Sequence, residues 1–167
     1  MAQEFWDIYD SNRIPTGRTE PRGPLVIGDY HLVVAVWMMN HEGHLLVTRR
    51  HPDRPWGNYW ECTGGSAIAG ESSVQAALRE VREEVGLLLD PADGILLDSC
   101  REDRCFRDTW FFHADYDFNR LVLQHEEVAE ARVITREQYD RMYRELLFVP
   151  TLRNFYKLYD VRIKAKL

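Results

Sequence analysis

Residues 65–87 read GSAIAGESSVQAALREVREEVGL, and this stretch decides how the rest of the chain is read. It begins on Gly65, straight after Thr63-Gly64, and ends on Gly86-Leu87, with Glu71, Arg79, Glu80, Glu83 and Glu84 between. Ser72 followed three positions later by Gln75 predicts a capping box that opens a helix. Gly86 falls where a left-handed residue closes one. With about 100° of turn per residue, Val74, Leu78, Val81 and Val85 form an apolar stripe bound for a core. Glu80, Glu83 and Glu84 form a second, acidic stripe, because residues three and four apart are helix neighbours.

Carboxylates within one helical turn repel one another. On an exposed helix each like-charged pair costs roughly 0.2–0.5 kcal/mol. A solvated acidic face with an Arg79–Glu83 ion pair is one reading of such a cluster. A hard divalent cation is the other, since Mg²⁺ takes a few carboxylate oxygens together with water and substrate phosphate oxygens.

The spacing G-x5-E-x7-R-E-U-x-E-E-x-G-U, with U aliphatic, resembles the Nudix box, and every specified position is filled, the aliphatic ones by Val81 and Leu87. The resemblance implies a Nudix hydrolase: a pyrophosphohydrolase that cleaves a diphosphate linkage in a nucleoside diphosphate derivative or nucleoside triphosphate. It implies Mg²⁺, with Mn²⁺ as substitute, held by Glu80, Glu83 and Glu84 and by the backbone carbonyl of Gly64. A carboxylate from a later loop completes such sites. Glu127 fits that place, with Glu126 and Glu130 beside it. Arg79 would orient the cluster, Glu71 would tie the loop to the helix, and Glu80 would serve as general base. Gly65 and Gly86 are structural positions of the box.

The same resemblance implies an α+β fold, a mixed sheet sandwiched between helices. Strands are predicted over residues 5–10, 14–19, 31–39, 44–49, 60–65, 95–100, 106–114 and 128–134. Helices are predicted over 72–86, over 136–146 after a second capping box of Thr135 and Gln138, and over 151–159. The arrangement is one domain over 1–167, with an N-terminal hairpin extension (1–27), a core (28–148) and a C-terminal helix and tail (149–167). The hairpin resembles that of Nudix proteins akin to isopentenyl diphosphate isomerase.

At 167 residues and a formal net charge of −6, one sizeable core is expected, with no basic footprint for a nucleic-acid polymer. No long apolar run or signal-peptide pattern is present, so a cytoplasmic protein without a membrane partner is expected, with a homodimer as one option. Cys62, Cys100 and Cys105 lack the spacing of a zinc site and read as incidental thiols. Arg50 could hold a phosphate, and Trp56 and Tyr59 could stack on a base. His31, His44 and His113 read as structural strand residues.

Two rival functions remain. The isomerases need a Cys immediately before the box glycine, and that position is Gly64 here, with Cys62 too far back. A regulatory domain without catalysis would be expected to lose metal glutamates, and this chain keeps them. The Pro and Tyr that follow the box in ADP-ribose-type and diadenosine polyphosphate enzymes have no counterpart in Glu102-Asp103-Arg104-Cys105. Nucleoside triphosphates and small diphosphates remain as substrates.

Overall fold

The structure is a computed structural model describing residues 3–152 and 154–163. Strands β1 (Phe5–Tyr9) and β2 (Pro15–Pro21) form an antiparallel hairpin. They are followed by β3 (His31–Met39), β4 (Leu45–Arg50), β5 (Trp60–Glu61), β6 (Thr63–Ser66) and helix α1 (Ser73–Val85). After α1 come β7 (Gly94–Arg101), β8 (Cys105–His113), β9 (Val128–Ile134), α2 (Arg136–Arg144) and α3 (Phe155–Arg162). The sheet is mixed: β3 runs parallel to β8, which pairs antiparallel with β7. The other edge of β3 is shared. Its first half pairs with β6 and its last two residues with β4, which then diverges to pair with β5 and β9. The splay between β6 and β4 opens a cleft beside the glycine pair.

Alternation along β3 sends side chains to two cores. Ala35, Trp37 and Met39 join Phe111, Tyr139, Met142, Phe148, Phe155 and Tyr156 under α2 and α3. Leu32, Val34, Val36 and Met38 join Ala76, Ala77, Val81 and Val85 under α1. The mixed sheet therefore lies between helices, as expected. Among the described residues no helix is long and apolar enough to cross a membrane.

Both capping boxes form as predicted, and Gly86 closes α1 at φ 74° with its amide donating to the Arg82 carbonyl. Three expectations are corrected. Helix α2 stops at Arg144 rather than 146, because Leu146 turns left-handed at φ 57° and the Leu147 amide donates back to the Met142 carbonyl. The predicted helix over 151–159 is a short 3₁₀ turn, Pro150–Leu152, followed by α3, which begins where Phe155 and Tyr156 become buried; residue 153 lies outside the described residues. His44 sits in the turn before β4, not in it.

The N-terminal hairpin is tied to the core at several points. Arg13 forms a two-pronged pair with the buried Asp108 on β8, both bonds at 2.6 Å. Tyr9 and Tyr30 exchange backbone hydrogen bonds, and Trp6 stacks on His31 with ring centroids 3.8 Å apart. The Ala69 amide donates to the Phe5 carbonyl and the Gly70 amide to Asp7. The hairpin is thus fixed against the loop that leads into α1.

Candidate active site

The cleft holds a cavity of about 550 Å³ whose walls come from β3, β6, α1, the hairpin and the loops around Arg54 and Glu127. Gly65 and α1 meet closely: a Cβ on Gly65 would collide with the Glu80 carboxylate. A Cβ on Gly64 would collide with the Val34 carbonyl, since β6 lies hard against β3. Both positions leave room only for hydrogen.

Arg79 is the hub of the ionic net. Its Nε donates to Glu71 at 2.7 Å, its Nη1 to Glu80 at 2.9 Å and to Glu83 at 3.0 Å, and its Nη2 to the Ser66 carbonyl at 2.9 Å. Glu71 in turn accepts from the Ile68 amide at 3.0 Å, so helix, loop and strand are held by one guanidinium and one carboxylate.

The acidic residues of α1 do not share one solvated face. The Glu83 side chain is half exposed, whereas Glu80 is largely covered and Glu84 lies inside the protein at 5% exposure. Glu84 follows Ala77 by seven residues and falls on the inner stripe with Val81. The buried residues of the helix are Ala76, Ala77, Val81, Glu84 and Val85, while Val74 and Leu78 are only half covered. The predicted apolar stripe is therefore rotated, and one carboxylate is drawn into it.

Burial raises the Glu84 carboxyl well above its ordinary pKa of 4.5, reinforced by Glu61, Glu80 and Glu127. Its Oε2 has no hydrogen-bond partner. Burial likewise pushes Glu80 up to about 7 against the pull of Arg79. Glu61 also rises to about 7 through burial, opposed by Arg50. Three buried carboxylates from two parts of the chain thus share one corner, with the more exposed Glu127 beside them.

Glu61 escapes the sequence reading. A signal exists: it is a charge between Trp60 and Cys62, two residues that both enter the core. Arg54 was also missed. It donates to Glu127 at 3.1 Å from the loop after β4.

Glu127 reaches the cavity because its loop is docked on the end of α1. The Val122 and Gln124 amides donate to the carbonyls of Val85 and Glu84, and the Glu127 amide closes back onto Gln124. Glu126 is exposed, and Glu130 is spent on Arg49 and Arg132, away from the cavity. Glu127→Ala is therefore expected to slow catalysis more than Glu126→Ala or Glu130→Ala and to weaken the response to added Mg²⁺. Metal titrations of the three variants check this, and equal behaviour removes Glu127 from the site.

The substrate-binding expectations fare unevenly. Arg50 lines the cavity, but its Nη1 is held by Glu61 at 2.6 and 2.8 Å and its Nε by the Pro55 carbonyl. Trp56 and Tyr59 are not brought to the cavity. They pack edge to face with centroids 5.6 Å apart, and Trp56, at φ 60°, is 54% exposed.

Residues 29–159 match the NUDIX domain family. The chain is 41% identical over 150 residues to an uncharacterized Nudix hydrolase of Listeria monocytogenes, covering 88% of this chain and 89% of the relative. An isopentenyl-diphosphate Delta-isomerase of Shigella flexneri is 32% identical over 101 residues, 59% of this chain and 56% of that protein. The fold is similar to the crystal structure of DR0079 from Deinococcus radiodurans, with a TM-score of 0.74 and 19% identity over 92% of this chain and 98% of that one. The chain belongs to the Nudix family and is a hydrolase of that family. Nudix hydrolases generally use a divalent metal and act on small, nucleotide-type molecules.

Among the described residues no three His, Cys, Asp or Glu side chains form a ready-made cation cage. Arginines compensate the carboxylates instead. The donor set nevertheless suits a hard cation: Glu84 Oε2 is buried and unpartnered, Glu80 lies against the hydrogen of Gly65, and all the donors are oxygens.

Proposed function

We propose that this protein is a Mg²⁺-dependent pyrophosphohydrolase that cleaves the diphosphate linkage of a nucleotide-type substrate by attack of water. The carrying observation is the desolvated corner where Glu61, Glu80, Glu84 and Glu127 converge and Glu84 Oε2 lacks a partner. Like charges gathered at such cost, with three arginines only partly offsetting them, favour a site completed by a divalent cation.

Glu80, Glu83, Glu84, Glu127 and the Gly64 carbonyl would hold Mg²⁺, with Mn²⁺ as substitute. The bound cation would screen the diphosphate charge and lower the pKa of water. Glu80 accepts the proton of the attacking water at its carboxylate. Arg79 fixes the Glu80 and Glu83 carboxylates in place. Arg50 and Arg54 line the same cavity and bring positive charge to it.

The isomerase reading has partial sequence likeness to isomerases in its favour and the site against it. Gly64 occupies the position where the isomerases carry their thiol. Cys62 is fully buried, and burial raises its thiol well above the ordinary value, which suits an inert thiol rather than a reactive thiolate. The protein is therefore expected to produce no dimethylallyl diphosphate from isopentenyl diphosphate, and Cys62→Ser is expected to keep its hydrolytic activity. Isomer formation that disappears in Cys62→Ser would reverse this ranking.

A further inference from the structure

The sheet ends on β9, and that end is open. Among the described residues β9 pairs with β4 alone. Ala131, Val133 and Ile134 line a groove of about 690 Å³. Ala131 and Val133 pack toward the α1 core and Ile134 belongs to the core under α2 and α3. The groove therefore runs along the edge of the strand rather than over one face. Phe118 and, at the end of α2, Arg141 and Glu145 also line it.

The backbone directions follow from β4. The Asn40 amide donates to the His44 carbonyl and the Arg50 amide to the Tyr59 carbonyl, so even-numbered residues of this segment bond toward β3 and β5. The His51 amide donates the other way, to the Glu127 carbonyl, so odd-numbered residues face β9. Opposed residues of an antiparallel pair alternate between bonded and non-bonded. Leu45, Val47 and Arg49 thus bond with their partners Ile134, Arg132 and Glu130. The N–H and C=O groups of Ala131 and Val133 are left pointing to the open edge.

Such an edge is a template for another strand, and proteins usually blunt it with proline or charge. Strand β9 reads VAEARVI, without proline, and its two charges are opposite in sign and symmetric about Ala131. An antiparallel copy centred there lets the two Ala131 residues exchange backbone hydrogen bonds. Each Glu130 then faces the copy's Arg132, and opposite charges on facing strand positions attract. A register shifted by one residue turns inward-bonded groups to the edge. A shift of two in either direction sets Arg132 against Arg132 or Glu130 against Glu130, which repel. One register is therefore favoured over its neighbours.

We infer that the open edge of β9 is where a second copy of this chain pairs, strand against strand, about a two-fold axis through Ala131. The contact is isologous, each copy offering the same patch. A two-fold rotation keeps both α2 helices on one face of the joined sheet, running antiparallel. Arg141 and Glu145, one turn apart and without an ion-pair partner among the described residues, bring a second balanced set of charges to that contact.

Sedimentation velocity of the full chain over roughly 1–200 µM tests this. The mass is expected to rise from 19.7 kDa toward twice that value with concentration. Ala131→Pro removes an outward N–H and spares the bonds to β4. It is expected to weaken the dimer by about tenfold or more, with a thermal melt verifying the fold. Arg132→Glu and Glu130→Arg each set like charges across the axis, and each variant alone is expected to stay monomeric. Mixed in equal amounts the two are complementary, and the dimer is expected to return, an outcome that misfolding of either variant would not produce. A natural protein that stays at 19.7 kDa throughout overturns the inference and leaves the edge to a strand from another protein. Dimers that persist unchanged in the folded variants, or a mixture that remains monomeric, overturn it as well.

Discussion

Glu84→Gln is expected to lose at least about a hundredfold in hydrolytic rate while the protein stays folded, the scale of losing one ligand from a site that depends on it. Gln is nearly isosteric, so the packing of this buried position survives. The stability change is expected to run opposite to the activity change, and its pH dependence follows from the raised Glu84 pKa. A carboxyl raised above its unfolded value of 4.5 keeps its proton in the folded state after the unfolded chain has released it. The folded state then binds more protons, and stability falls as pH rises from 4.5 through the raised value. Gln carries no such proton. The melting temperature of Glu84→Gln should therefore rise relative to the unsubstituted protein as pH increases over that window in metal-free buffer. Calorimetry at several pH values reads this directly, and a variant that is less stable at neutral pH would show that Glu84 is satisfied by partners within the protein. Glu83→Gln is expected to lose activity on a similar scale, although Glu83 is the half-exposed member of the cluster.

Removal of divalent metal is expected to abolish turnover altogether. Among the described residues the clustered carboxylates are offset by Arg79, Arg50 and Arg54, each already paired within the site. An anionic diphosphate entering that corner without a cation meets carboxylates that repel it. Chelation should stop the reaction, and Mg²⁺ or Mn²⁺ should restore it. The protein should also melt at a higher temperature with Mg²⁺ present, because a ligand that binds only the folded state stabilises it by mass action. Full turnover in EDTA, with trace metal verified as negligible, would remove the metal from the mechanism.

Much of this architecture was legible in the sequence because local patterns carry it. The Ser72–Gln75 and Thr135–Gln138 capping boxes, the Gly86 stop and the apolar run of β3 all stand where their spacing places them. What the sequence hid depends on neighbours far along the chain. The helical wheel sets Glu84 on an acidic stripe apart from the apolar one, yet its place seven residues after Ala77 puts it on the buried line. Glu61 gains meaning only when β4 and β6 splay and leave its side chain facing Glu84. Arg107 and Arg22 line the same cavity only because β8 lies beside β3 and the hairpin is clamped by Arg13 and Asp108. Trp56 and Tyr59, expected to stack on a base, are absent from the cavity lining, and the positive-φ residues Trp56 and Asn58 that shape their loop have no local signature in the sequence.

The central claim is attack of water on a diphosphate phosphorus at the Glu80–Glu84 corner. Cleavage of a nucleoside diphosphate derivative or triphosphate in ¹⁸O-labelled water with Mg²⁺ tests it most directly. Mass spectrometry of the products is predicted to find one solvent oxygen incorporated per linkage broken, in a phosphate-bearing fragment, with no incorporation above background in Glu84→Gln. Products formed without solvent oxygen, or labelled equally fast by Glu84→Gln, would contradict the account.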